Sequence, residues 1–375
     1  MLRWQNLVGV LLGLLAGSAI LALKEGPARD RFAAGPVLSE CDGHLRELVI
    51  HYEPAAKPVV APIYRQFLQA LEADITVTVV CPDAAAYQQF SDLLANVRCH
   101  LVPVIAGHPI TAWSRDRWIA FGPRTKDGPT TLWSPRAEAA EEIWPARAGD
   151  ERVGHDLAAA LPHRVRARRS ALYFDGGDFL ADSETVFVMP RVLQRNIQHT
   201  VRNQDELLAA ISRECQRRVV LLTEAPDHHA GMFMASVGHR TMLVGDPSLA
   251  RPLVPADCAL LPGGPDFTPA TQRLFDAVAA QCAHAGYRVL RIPVAPATDG
   301  RTYFTYLNAL LDQQPARRVV YLPTYQGVEA LNAAARGVWE SLGYQVRAVD
   351  CTTAYRHFGS LHCLVNVLQR SRPPG

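Results

Sequence analysis

At 375 residues, 49% of them hydrophobic, the chain can bury a sizeable core as one large domain or two ordinary ones, and disorder throughout is excluded. Its 38 basic and 36 acidic residues are interspersed to a net charge of +2, so no basic stripe proposes nucleic acid as the partner. Eight cysteines show no Cys-x-x-Cys pair and no zinc-ribbon spacing, which argues against structural zinc.

The N-terminus stands apart. Met1–Asn6 leads into an unbroken apolar or small run from Leu7 to Leu23, followed by Lys24-Glu25-Gly26. Such a run lies at the top of the range for a signal peptide and at the lower limit, roughly 17 residues, for spanning a bilayer. The small residues Ala16–Ala19 fall inside the run rather than after it, which favours a retained anchor over a cleaved peptide. Residues 1–26 are therefore expected to be a hydrophobic helix serving as signal peptide or membrane anchor, with the body extracytoplasmic. Residues 27–45, mixed and without period, read as a linker, and 46–375 as one catalytic domain.

From Leu48 onward, short apolar strands alternate with helical segments. Leu48–Tyr52 is followed by a helix through Ile63–Leu71, then by the strands Ile75–Val80 and Cys99–Val104. The alternation recurs at Val219–Leu222, Thr241–Val244, Tyr287–Ile292 and Val319–Leu322, the last followed by a helix over Gly327–Leu342. This is an α/β pattern throughout, in units spaced several tens of residues apart.

Four segments carry chemistry. Trp113-Ser114-Arg115-Asp116-Arg117-Trp118 sets an acid between two arginines and two tryptophans before a strand. It is either a structural Arg–Asp pair capped by aromatics, or a place where Asp116 accepts a planar guanidinium in bidentate fashion. Asp175-Gly176-Gly177-Asp178 is a turn, or a site where missing side chains let the backbone approach a ligand. His228-His229 supplies an imidazole for proton transfer; on a strand the two rings would face opposite ways and could not share one metal. Gly359–Asn366 carries His362 directly before Cys363, which is either an inert buried cysteine or the nucleophile.

In this order the segments resemble the agmatine deiminase and bacterial peptidylarginine deiminase family of the guanidino-modifying, or pentein, superfamily. The resemblance runs over roughly Leu48–Leu368. It rests on Trp113–Asp116, Asp175–Asp178, Tyr306-Leu307-Asn308 and Gly359–Cys363. It implies a propeller of ββαβ units with pseudo-fivefold symmetry and a central substrate cavity, working without metal or organic cofactor. By the same resemblance, Cys363 attacks the guanidinium carbon, His229 transfers protons and Asp175 orients the imidazole. Asp116, Trp113, Arg115 and Asn308 would bind a small guanidine or an arginine-containing peptide.

One position departs from the family. The aspartate expected two residues after the histidine, a second contact to the guanidinium, is Gly231 when His229 is aligned and Ala230 when His228 is. His229 is preferred because Met232-Phe233 and Val237-Gly238 then fall in register. Three outcomes remain open at this level: Asp227 or Glu224 reaches in instead, the substrate differs, or the chain binds a cation without turning it over. A papain-like protease is disfavoured because the early cysteine and late histidine of that class are missing.

Overall fold

A computed structural model describes residues 34–371 except 95, 126–127, 139–143, 256 and 315. The run Leu7–Leu23 lies outside the described residues, and among those described no helix is long and apolar enough to cross a membrane.

The first sheet gathers β1 (Leu45–His51), β2 (Thr76–Cys81) and β3 (His100–Ile105), all parallel, with the last strand of the chain, β18 (Val365–Arg370), antiparallel against β1. Helices α1 (Lys57–Ala70) and α2 (Ala84–Asp92) make the crossovers that parallel strands require. Pro58 opens α1, where its missing N–H costs nothing, and Val60, Ile63, Tyr64, Phe67 and Leu68 form the face it buries. Asp83 caps α2 by accepting the Ala86 N–H at 2.8 Å.

One pairing pattern then repeats. β4 (Ile119–Phe121) lies antiparallel to β5 (Thr130–Ser134), which crosses through α3 (Pro145–Ala160) to parallel β6 (Val165–Arg169). Next come β7 (Phe179–Ala181), β8 (Thr185–Val188), helices α4 (Pro190–Asn196) and α5 (Gln204–Cys215), and β9 (Arg218–Leu221). They are followed by β10 (Met234–Ser236), β11 (Thr241–Asp246), the short α6 (Pro247–Ala250), α7 (Pro269–His284) and β12 (Arg288–Pro293). After the small ribbon of β13 (Ala295–Pro296) and β14 (Tyr303–Phe304) comes the set β15 (Leu310–Gln313), β16 (Arg318–Thr324), α8 (Glu329–Ser341) and β17 (Tyr344–Asp350). The pairing of β18, β1 and β2 across α1 repeats it again. Among the described residues, five sheets thus share the order strand, strand, helix, strand, with an antiparallel and then a parallel contact.

The central strands read as continuous apolar runs because both faces are covered: Val319–Leu322 of β16 are all buried. The core runs through most of the units, with Trp339, Tyr321, Tyr325 and Phe67 among its largest buried side chains.

Part of the expected linker belongs to this body. The Leu38 N–H donates to Ala120 O at 2.9 Å, the Glu40 N–H donates to Ala181 O at 2.8 Å, and Cys41 is fully buried. Its apolar residues are isolated and it pairs through backbone, so it carries no period in sequence. All eight cysteines are free thiols.

Candidate active site

The repeated units put chemistry at one recurring place, the segment just before the first strand of a sheet. Trp113–Asp116 precede β4, Asp175 precedes β7, His229 precedes β10, Asn308 precedes β15 and Cys363 precedes β18. Residues far apart in sequence can meet because each occupies the same position in its own unit.

Cys363, His229, Asp175, Asp116 and Trp113 line one cavity of about 390 Å³. Cys363 sits in a single 3-10 turn, His362–Leu364, its side chain 3% exposed and its N–H donating to Asn308 Oδ1 at 3.1 Å. His229 stands at the start of another such turn, Ala230–Met232. Its Nδ1 lies 3.7 Å from Asp116 Oδ1 and its Nε2 3.7 Å from Asp175 Oδ2, so each ring nitrogen faces a carboxylate. Burial alone would lower its pKa; the charge of Asp116, together with Asp175 and Cys363, outweighs burial and holds it up at about 10. The protonated form of the ring is thereby favoured at neutral pH, in the cavity that Cys363 also lines.

Asp175 is braced from several sides. Arg117 Nη1 donates to its Oδ1 at 2.8 Å, and Arg191 and Arg195 approach Oδ2 at 3.6 Å. Burial opposes ionisation here, but His229 and the arginines overcome it and keep the carboxyl well below the usual range. Asp178 closes the turn by accepting the Asp175 N–H at 2.8 Å and pairs with Arg191. The two glycines between these acids have a packing reason. A Cβ on Gly177 would come within 2.5 Å of the His229 ring, so the imidazole lies directly against backbone. Gly359 does the same for Trp113, whose ring occupies the space a Cβ would take.

The structure departs from the sequence reading at several residues. Arg115 does not line the cavity: its guanidinium turns away to Glu40 and to Phe179 O. Asn308 does not line it either; it holds the Cys363 backbone instead. His362 lies behind the site, 3.9 Å from Glu40, with its pKa lowered far below the ordinary value by burial and by Arg115 and Arg370. His228 and His229 are not on a strand, and both face the cavity. The His228 Nδ1 accepts the His229 N–H at 2.7 Å, and burial keeps that imidazole neutral. Gly231 lies off the cavity, its missing side chain directed toward Asn308 Nδ2, while Asp227 is on the lining and Glu224 is not.

Sequence reasoning missed the arginines. Arg147, in the first turn of α3, sets Nη2 3.0 Å from Asp116 Oδ2 and Nη1 3.2 Å from buried Asp150. Asp116, 8% exposed, thus meets a guanidinium of the chain itself, while its Oδ1 is buried with no hydrogen-bond partner. Arg147, Arg191 and Arg301 all line the cavity. None belongs to a motif; the only sequence signal is an arginine count that is too high to single them out.

Comparison with solved structures decides the fold. The chain aligns over 90% of its length with 97% of an agmatine deiminase of C. jejuni solved with substrate bound, at a TM-score of 0.67 and 14% identity. It aligns over 91% of its length with 99% of an agmatine deiminase of Enterococcus faecalis, at 0.65 and 13%. The fold is that of the agmatine deiminases. No protein-family model and no curated protein matches the sequence. An agmatine deiminase fold carried on so few shared residues leaves the chemistry to be argued from the cavity.

Proposed function

We propose that the protein is a hydrolase of guanidino groups, converting a guanidine to a ureido product and ammonia through Cys363. The observation that carries this reading is the meeting of a cysteine thiol, a protonated imidazole and two carboxylates in one cavity. An imidazole sharing a cavity with a thiol suits nucleophilic catalysis, and carboxylates suit a guanidinium. The same cavity in an agmatine deiminase fold supports an agmatine-like compound or an arginine side chain as substrate.

In this mechanism the Cys363 thiolate attacks the guanidinium carbon, with Asp116 Oδ1 holding the cation. The His229 imidazolium donates its proton to one amino nitrogen, and ammonia leaves as the C–N bond breaks. The enzyme then carries a thiouronium, a C–S bond to Cys363. His229, now neutral, takes a proton from water as its oxygen adds to that carbon. Collapse breaks the C–S bond, returns the thiolate and imidazolium, and releases the ureido product, its surplus proton passing to ammonia. Asp175 holds the imidazole in line, and Asn308 fixes the nucleophile's backbone.

The five like-paired sheets support a pentein propeller around this cavity. The apolar run Leu7–Leu23 supports an exported or membrane-anchored catalytic domain. A second reading is binding without turnover, favoured by Gly231 in place of an acid and by Arg147 on Asp116. The deciding assay measures ammonia and ureido product from agmatine, free arginine and arginyl peptides. Product from wild type and none from Cys363→Ala supports hydrolysis. Tight binding of the same compounds without product supports the second reading, and equal activity in Cys363→Ala removes the cysteine from its role.

A further inference from the structure

Two of the three carboxylates on the cavity wall are already engaged by cations of the chain. Asp116, Asp175 and Asp227 are its acids; Arg147, Arg191, Arg301 and protonated His229 are its cations. Asp116 Oδ2 and both oxygens of Asp175 already face arginines of the chain, and Arg147 and Arg191 are further paired with Asp150 and Asp178 behind the wall. The acid that would have joined them is Gly231, which is not on the lining.

Two buried polar atoms on lining residues lack hydrogen bonds, and they are opposite in kind. Asp116 Oδ1 is an acceptor, and Arg191 Nη2 is a donor, 3.6 Å from the nearer Asp175 oxygen. A ligand that satisfies both must carry a donor-rich cation and an acceptor. At the rim, Arg301 adds a cation that makes no ion pair among the described residues, its guanidinium lying over the Phe358 ring, 4.4 Å from the centroid. Phe358 leads into Gly359 and the Cys363 turn, so this cation stacks on the segment that precedes the nucleophile. The backbone at this point is held by the Arg301 amide N–H, which donates to Asp299 Oδ1 at 2.8 Å.

We propose that the cavity selects guanidines bearing a carboxylate at their far end, the guanidinium taking Asp116 Oδ1 and the carboxylate taking Arg301 at the rim. The substrate class is then a guanidino acid, neutral overall, in preference to an amine-ended guanidine. This rests on the guanidine-hydrolase reading for turnover, but its selectivity is a property of binding and is measured separately. Arg301 is the specificity-determining residue; Arg191 lends its free donor to the wall.

The test compares 5-guanidinopentanoate with agmatine, which share four methylenes and differ in carrying a carboxylate or an ammonium at the end. Ammonia release gives kcat/KM for each on the full chain, and calorimetry on Cys363→Ala gives Kd for each without turnover. The carboxylate compound is expected to be preferred at least about tenfold in both, because exchanging one unit charge for its opposite beside Arg301 reverses the sign of the interaction. The preference should shrink as salt rises. Arg301→Glu should abolish or invert it and Arg301→Lys should retain it; both changes are at an exposed position, and circular dichroism verifies the fold. Equal or tighter binding of agmatine, or a preference untouched in Arg301→Glu, overturns the proposal. Absence of ammonia from either compound counts against the hydrolase reading alone, and the Kd ratio still decides selectivity.

Discussion

Replacing Gly177 with alanine tests the site through its most exacting contact. The Cβ would fall 2.5 Å from His229 Cγ and 2.6 Å from Nδ1, where ordinary contact begins near 3.4 Å. The imidazole must retreat by about 0.9 Å, because the Gly177 side of the contact is backbone in a turn tied to Asp175 and Asp178. The backbone itself accepts alanine, since Gly177 lies outside the left-handed region. Misplacing a catalytic group by 1 Å costs about 10²-fold, so kcat should fall by roughly that factor while the melting temperature changes little. The same retreat carries the ring away from Asp116 and Asp175, whose charges hold its pKa at about 10 against the pull of burial. The alkaline limb of the pH–rate profile, where the imidazolium is lost as pH rises through that value, should therefore move to lower pH. Steady-state kinetics from pH 6 to 11 on both proteins reads both effects. A kcat within threefold of wild type together with an unmoved alkaline limb would refute the assignment of His229 to proton transfer.

Two further substitutions probe the supports. Arg147→Met removes the cation shared by Asp116 and Asp150 and leaves Asp150, fully buried, uncompensated, for a loss of about 3–5 kcal/mol in urea unfolding. Burial, only partly offset by Arg147 and Thr111, raises the Asp150 pKa to about 6. A raised carboxylate pKa means that stability falls as pH rises from the unfolded value toward 6; without Arg147 that fall should be larger and extend further, so the variant should be weakest at pH 8 and closest to wild type at pH 4. Asn308→Ala takes the acceptor from the Cys363 N–H, a buried loss of about 1–3 kcal/mol, and should lower kcat more than it changes KM, since Asn308 does not line the cavity.

What could be read in the sequence was whatever is local. Asp175-Gly-Gly-Asp, Trp113–Asp116 and the Gly359–Cys363 ending each pack a turn, an acid or nucleophile and the following strand into a few residues, so their chemistry is visible before folding. The α/β alternation was visible for the same reason, because buried parallel strands are runs of apolar residues. What was hidden is long-range. Arg147 meets Asp116 across 31 positions and between two elements, and nothing around Pro145–Asp150 marks it as part of a site. Arg115 stands beside Asp116 in sequence yet turns to Glu40, a residue of the segment expected to be a linker, which no pattern connects to it. His228 and His229 were expected on opposite faces of a strand; a turn brings both rings to the cavity, 5.6 Å apart.

The central claim is that the Cys363 sulfur bonds to a guanidine carbon, and acid-quenched peptide mapping by mass spectrometry during turnover examines that bond itself. With a guanidine in excess, a thiouronium adduct should appear on the peptide containing Cys363 and be missing from Cys363→Ala. Ureido product formed while Cys363 stays unmodified at every quench time, or an adduct on any of the other seven cysteines, would contradict it.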